Sequence, residues 1–348
     1  MRLLITGGTG FIGSGTALRA RALGHEVRVT GLQRTPAEAA NVERLRAAGV
    51  EVTLADLEGL AASPGQLEGV DAVLHLAAAQ HEMNVPDAHF RAVNVRGTEA
   101  LVNACLRAGV GRFVHGSTIG VYGRREGEID ETTPTAPDNI YGQTKLEGEN
   151  VVLARRRELP VVVIRIPETY GPGDRRLLKL FRGIASGTFF RIGIGSNLHH
   201  PIYIDDLVQG LLLAAEHPAA PGELFLLPGR DAVTTDEMIA AVAAAVGRQP
   251  PRLRLPVWPF MAAAVALEAG LRPLGIQPPL HRRRMDFFVK SFSFDGGKAR
   301  RLLGFAPQVP FREGAARTAR WYQELGELPT PESRQRGAGP KERFPIPW

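Results

Sequence analysis

The first apolar run of the chain, Leu3-Leu4-Ile5, is short and unbroken, the pattern of a strand buried on both faces. A glycine-rich turn follows, and beyond it Phe11, Ile12, Ala17, Leu18 and Ala22 recur at helical spacing. The alternation repeats down the chain. Strands are predicted at 25–30, 50–54, 71–76, 112–115 and 160–166. Helices are predicted at 36–48, with Pro36 in the first turn, and across Val93, Thr98, Leu101, Val102 and Leu106. The stretch Val161-Val162-Val163-Ile164 is apolar on both faces, as a central parallel strand requires. Strands alternating with helices predict an α/β fold with a doubly wound parallel sheet.

Beyond residue 166 the rhythm changes, with Pro167, Gly171, Pro172, Gly173, Gly183 and Gly187 opening longer connections. The expected organisation is a sheet-forming α/β domain over 1–166 and a smaller lobe over 167–328. The lobe is expected to cover the carboxyl ends of the strands, where open α/β sheets bind ligands. Within it, a helix at 205–216 and a short strand at 223–227 mark a return to the sheet at about 202–227. Further helices are expected at 235–246, 297–303 and 311–325, and 329–348 reads as a charged, Pro-rich tail.

Composition narrows the class. The 348 residues are 44% apolar and 22% charged, ordinary for a globular protein. The net charge of +6 is spread over many elements. Its clusters, Arg155-Arg156-Arg157 and Arg282-Arg283-Arg284, lack interleaved aromatics, which argues against nucleic acid as a partner. Cys105 is the single cysteine, so neither an intrachain disulfide nor a thiolate metal cage is available. His199 and His200 are adjacent and point apart, so no metal site is expected. The chain runs from Met1 directly into its first strand, leaving no room for a signal peptide, and a cytoplasmic location is expected. The longest apolar stretch, 257–267, contains Pro259 and is too short to span a bilayer, which leaves only peripheral membrane contact open.

The chemistry begins at Thr6-Gly7-Gly8-Thr9-Gly10-Phe11-Ile12-Gly13. Strand, glycine turn and helix in that order fit a dinucleotide pyrophosphate, which needs close backbone approach and a helix N-terminus. Residues 1–166 are therefore expected to form a dinucleotide-binding Rossmann domain, and 167–328 a mostly substrate-binding lobe. A second stretch, Tyr141-Gly142-Gln143-Thr144-Lys145, puts Tyr141 and Lys145 on one helix face. An ammonium beside a phenol favours the phenolate, which turns tyrosine into a usable proton carrier. Ser117 and Thr118, just past the fifth predicted strand, offer hydroxyls at the same edge as the glycine turn.

Together these residues resemble the extended short-chain dehydrogenase/reductase superfamily, the group of NAD-dependent epimerases, dehydratases and 3β-hydroxysteroid dehydrogenases. The resemblance also rests on Asp56-Leu57, His75-Leu76-Ala77-Ala78, Asn94-Val95-Arg96-Gly97-Thr98, the run from Ser117 to Gly123, Tyr170-Gly171-Pro172-Gly173-Asp174 and Ile202-Tyr203-Ile204-Asp205-Asp206-Leu207. It covers roughly residues 1–325 in order. It implies Tyr141 as acid/base, Lys145 as its tuner and holder of the nicotinamide ribose, and Thr118 as the catalytic hydroxyl, with Ser117 able to substitute. For the cofactor it implies Gly7, Gly10, Phe11, Ile12 and Gly13 at the phosphates, Asp56 and Leu57 at the adenine, Ala77, Ala78 and Pro167 along the cofactor, and Asn94 bracing the adjoining strand. A homodimer through helices near 95–108 and 142–157 is likewise implied.

Two choices remain inside the resemblance. The acid that NAD-preferring members place at the end of the second strand is Gly31 here, and Arg34 follows, so NAD(P) is expected with a lean to NADP. For the substrate, sugar-nucleotide members hold the diphosphate with an Asn and an Arg at positions occupied here by Glu168 and His199, with Thr169 beside them. A carboxylate facing a diphosphate repels it. The apolar segment 255–274 instead matches the sterol-dehydrogenase branch. The expected activity is therefore hydride transfer between nicotinamide and a secondary alcohol or ketone on a small, apolar, steroid-like molecule. Sugar-nucleotide epimerisation or dehydration is the second reading, and dinucleotide binding without catalysis the third.

Overall fold

The computed structural model describes residues 1–80, 85–125, 127–271, 278, 280 and 282–330. Residues 272–274 of the apolar segment, the side chains of Arg283 and Arg284, and 331–348 of the tail lie outside the described residues. The chain forms two compact units. The first comprises Met1–Glu168, Ile204–Pro228 and Phe294–Pro307; the second comprises Thr169–Tyr203, Gly229–Ser293 and the chain from Gln308 on.

The first unit is built on a seven-stranded sheet. Its strands are β1 (Arg2–Thr6), β2 (Glu26–Gly31), β3 (Glu51–Leu54), β4 (Ala72–His75), β5 (Arg112–Thr118), β6 (Val161–Ile166) and β7 (Leu224–Leu226). The spatial order is β7-β6-β5-β4-β1-β2-β3, and every neighbouring pair is parallel. Parallel strands need crossover connections, which here carry α1 (Phe11–Ala22), α2 (Pro36–Ala47), α3 (Leu57–Ala61), α4 (Asp87–Arg91), α5 (Thr98–Ala108) and α6 (Ile140–Ala154). One face of the sheet packs a core that includes Leu4, Val73, Phe113 and Val161 with Leu101 and Val102 of α5. Each such fully buried side chain contributes roughly 1.5–3 kcal/mol. The 204–216 helix packs on α1 at Gly15, where a Cβ would make ordinary van der Waals contact with Ile204 at 3.5 Å and Val208 at 3.8 Å.

Two local departures from the sequence pattern bear on the site. The long helix expected through Val93 and Leu106 is divided, with a wide π-helical turn at Ala92–Gly97 between α4 and α5. That turn sets Asn94 inward, 1% exposed. The fifth strand also runs three residues further than its apolar pattern, to Thr118.

The second unit is a set of short two-stranded pairings and helices. Leu198–His199 pairs antiparallel with Val233–Thr234, Arg191–Ile192 pairs with Arg254–Leu255, and Thr169–Tyr170 pairs with Ile202–Tyr203. Its helices include Leu178–Ser186, Thr235–Ala245, Val257–Leu271, Arg282–Val289 and Phe311–Glu324. Pro259 is tolerated in the 257–271 helix because it sits in the first turn, where backbone N–H groups have no helical partner anyway. Among the described residues no helix is long and apolar enough to cross a membrane. Nor does any group of three or more His, Cys, Asp or Glu among them form a metal-holding set.

Candidate active site

The glycines of the β1–α1 turn have separate reasons. Gly7 adopts φ +66°, and a Cβ there would stand 2.8 Å from the Ala77 backbone nitrogen. A Cβ on Gly13 would stand 2.2 Å from the Gly7 carbonyl oxygen, and one on Gly8 2.4 Å from Val29 Cβ. The chain's own packing requires these three. Gly10 is different: its φ is −77°, and the nearest obstacle to a Cβ is the Gly7 oxygen at 3.2 Å. Its bare backbone would let a pyrophosphate approach the turn closely. Gly10 is also the N-cap of α1, with no side-chain cap, and the first turn of α1 (Phe11, Ile12, Gly13) carries no acid. By contrast, α2 is closed by the Thr35–Glu38 capping box. The N-terminus of α1, without a side-chain cap, could hold an external anion.

At the end of β2, Gly31 has no room for the carboxylate it lacks. A Cβ there would lie 2.5 Å from Oγ1 of Thr9, itself buried. Arg34 is exposed, and its backbone N–H donates to Glu38 at 2.7 Å. Asp56 caps α3, accepting from Gly59 N at 2.8 Å, while Leu57 is buried.

Beyond β4 the segment Ala77–Ala79 is held by Asn94. The Asn94 amide accepts from Ala79 N at 2.8 Å and donates to Ala79 O at 3.1 Å and to Thr144 Oγ1 at 3.0 Å. One side chain therefore ties this segment to α6.

The extension of β5 separates the two candidate hydroxyls, because successive strand residues face opposite sides. Ser117 turns inward, 4% exposed, and donates to Glu149 at 2.5 Å. Glu149 is 1% exposed and holds Arg165 through two bonds, of 3.1 and 2.8 Å. Arg165 also donates to the Tyr122 hydroxyl at 2.9 Å, which donates in turn to the Asp130 carbonyl at 2.8 Å. Thr118 remains partly exposed, with its hydroxyl accepting from Gly120 N at 3.1 Å.

Helix α6 starts at a cap in which Asn139 accepts from Gly142 N at 3.0 Å. Its first turn lies against the Thr118–Gly120 turn, since a Cβ on Gly142 would stand 2.5 Å from the Gly120 oxygen. One turn and a half further, a Cβ on Gly148 would stand 2.7 Å from the Asn94 oxygen. Two glycines thus seat α6 between the β5 turn and the π-helical turn. The spacing of the motif alone shows only that Tyr141 and Lys145 share a face. Tyr141 is half-buried, whereas Lys145 is 1% exposed. Burial pulls the Lys145 ammonium down to about 8, partly offset by the Glu149 carboxylate. Its Nζ lies 3.4 Å from Nε2 of His115, a buried residue of β5.

Pro167 is buried just past β6 and Glu168 beside it is exposed, both in the first unit. Thr169 and His199 belong to the second unit and are buried there. His199 lies 2.9 Å from the Thr235 hydroxyl, with its ring 4.5 Å from that of Phe287. Ser117, Thr118, Lys145, Asn94, the Ala77–Ala78 segment and the glycine turn are all carried by the first unit.

The model of the NAD dependent epimerase/dehydratase family matches residues 3–227. An uncharacterized protein of Sinorhizobium fredii, y4nL, is 31% identical over 303 residues, 82% of this chain and 84% of its own. A 3beta-hydroxysteroid-dehydrogenase/decarboxylase of Arabidopsis thaliana is 28% identical over 325 residues, 87% of this chain, and the aligned part spans 57% of that protein's length. Among solved structures, a dTDP-glucose 4,6-dehydratase from Streptomyces venezuelae with NAD bound is 29% identical with a TM-score of 0.73, over 94% of this chain and 99% of that one.

Proposed function

The chain belongs to the NAD dependent epimerase/dehydratase family, enzymes of the extended short-chain dehydrogenase/reductase type, and from that premise we propose that it oxidises or reduces a secondary alcohol or ketone on an apolar, steroid-like scaffold with NAD(P). The observation that carries this reading is Lys145, buried four residues after Tyr141 on a helix seated against Thr118–Gly120. A bare ammonium is costly to bury, and four residues after Tyr141 its charge favours the phenolate that a proton carrier needs. The Gly10 turn and the uncapped N-terminus of α1 would hold the pyrophosphate, and the Ala77–Ala78 segment fixed by Asn94 would flank the cofactor. When bound, the nicotinamide supplies the hydride acceptor or donor.

The chain's own residues handle the proton. Thr118 orients the substrate oxygen, since its hydroxyl is partly exposed while that of Ser117 is committed to Glu149. Tyr141 takes the proton of the alcohol or returns it to the ketone. Lys145 stabilises the phenolate through its charge. Thr9 filling the space beside Gly31, with Arg34 exposed nearby, favours NADP over NAD, because the end of β2 carries no carboxylate of its own and Glu38 is committed to capping α2. The 257–271 helix, apolar apart from Glu268, supports an apolar substrate. The likeness to a dTDP-glucose 4,6-dehydratase supports the second reading, a sugar-nucleotide epimerase or dehydratase.

The test is a turnover screen with NAD and with NADP over 3β-hydroxysteroids, other apolar secondary alcohols, and UDP- and dTDP-glucose, run on the native protein and on Tyr141→Phe. The variant should lose about 10²–10⁴-fold in turnover while still binding cofactor. Undiminished turnover in that variant would sink the proton assignment. Sugar-nucleotide conversion without steroid oxidation would favour the second reading, and a lower Michaelis constant for NAD than for NADP would refute the cofactor preference.

A further inference from the structure

We propose that His115 is a positioning residue for the proton-handling pair, its Nε2 accepting a hydrogen bond from Lys145 and fixing where the ammonium sits. The inference rests on the reading of Lys145 given above. It starts from a contrast between two buried histidines side by side in the sheet, since the register sets His75 opposite His115. Both are fully buried, with ring centroids 5.3 Å apart. His75 is satisfied at both nitrogens, Nδ1 lying 2.7 Å from the Thr6 hydroxyl and Nε2 2.9 Å from that of Thr98. It explains itself as a structural link between β1, β4 and α5. His115 does not: among the described residues its Nδ1 has no hydrogen-bond partner, and its Nε2 meets only Lys145 Nζ, at 3.4 Å.

A proton count fixes what that contact means. An ammonium only donates, so Nε2 must present its lone pair and the ring proton must sit on Nδ1. A buried N–H without an acceptor costs about 1–3 kcal/mol, which a phenylalanine or leucine at this strand position would avoid. Histidine is thus a poor choice for stability alone. What it supplies is an acceptor for a lysine buried with no other hydrogen-bond partner among the described residues. On α6 and the elements packed against it, the described residues leave no better one. Glu149, one turn along α6, is occupied by Arg165 of β6 and by Ser117. The Tyr122 hydroxyl takes Arg165, Asn94 of the π-helical turn is committed to Ala79 and Thr144, and Glu147 of α6 pairs outward with Arg91 of α4. Burial disfavours protonation of both histidines, and the nearby Lys145 charge adds to this, so the imidazole stays a neutral acceptor.

Two measurements test the assignment. In the native, cofactor-free protein, ¹⁵N NMR of histidine should show His115 as the Nδ1–H tautomer with an unprotonated Nε2, unchanged from pH 5 to 8. An Nε2–H tautomer would overturn the proposal without any substitution. Affinity for NADPH and for NADH, measured by fluorescence from pH 6 to 10, supplies the second readout. Native binding should weaken as pH rises past about 8, where Lys145 loses its charge. In His115→Phe, which lacks the acceptor, that onset should move down by about one pH unit, since a lost hydrogen bond to the charged form lowers a lysine's pKa. His115→Gln, which restores an acceptor, should move it back. An unshifted onset, or a loss equal at every pH, would show His115 to be merely structural. If neither NADPH nor NADH binds the native protein, the functional reading itself falls; if one binds and His115→Phe keeps the native onset, only the role of His115 falls.

Discussion

In the first unit, the face of the sheet toward α6 buries Ser117, Lys145, Glu149, Arg165 and His115, and most of their polar atoms are tied to one another. In the second unit, the apolar 257–271 helix buries only Ala264 and Glu268, while Trp258 is 72% exposed. The contrast follows from what each surface does with water. Charged groups taken out of water stay put only when every partner is in place, so such a network has one geometry, which suits groups that must meet reacting atoms. An apolar face left in water has no directional bonds to satisfy and can meet ligands of different outline. Within one chain, positional demand is concentrated in the first unit and tolerance in the second.

The sharpest way to break that contrast is to remove the carboxylate at its centre. Glu149→Leu would leave Arg165, 5% exposed, as a buried charge facing no carboxylate, and would strip Ser117 of its acceptor. The expected loss is about 3–5 kcal/mol in urea unfolding. A loss under about 1 kcal/mol would mean that water or a rearranged partner takes the place of Glu149, and the first unit would not be the rigid one.

Acid provides the next largest effect. His75 is held neutral in the fold, its pKa lowered by burial to about 3 from 6.5, and His115 is lowered well below 6.5. Above pH 6.5 both are neutral folded or unfolded, so they add no pH dependence. As pH falls below 6.5, the unfolded chain binds two protons that the folded chain refuses, and stability falls with pH down to the folded values. Between pH 8 and 5.5 the loss from His75 should be roughly 1 kcal/mol, and His115 adds to it in the same direction. Urea midpoints across that range provide the check. A flat profile would mean that the two rings take up protons without unfolding, and so that water reaches the sheet.

The comparison also explains how much could be read before the fold was known. The strand–glycine–helix start, the parallel α/β pattern and the Tyr141/Lys145 spacing were legible because each depends on residues near one another in sequence. What could not be read depends on contacts between distant segments. The division of labour between Ser117 and Thr118 turns on β5 running to Thr118, beyond the apolar pattern that ends near His115. The empty place at Gly31 is explained by Thr9, and the seat of α6 by Gly142 and Gly148 meeting Gly120 and Asn94. The segment Phe294–Pro307 groups with the first unit, although nothing in its composition separates it from its neighbours. One clue was available: Arg165 interrupts the apolar run Val161–Ile166, and a charge in a central parallel strand demands a buried partner. Glu149 is that partner, and no local pattern points to it.

The smallest expected effect probes the other side of the contrast. Trp258 is a large aromatic in the first turn of its helix, and in most proteins removing one from a packed site costs about 3–5 kcal/mol. Here the side chain is mostly in water, and the small core beneath the helix is made by Ile192, Ala264 and Met285 with Phe260 and Phe288 packed around them. Trp258→Ser should therefore change urea stability by no more than about 0.5 kcal/mol, with an unchanged denaturant slope. A loss above about 2 kcal/mol would show that this face is covered in solution, and that the second unit holds a packed interface where it presents an open apolar surface.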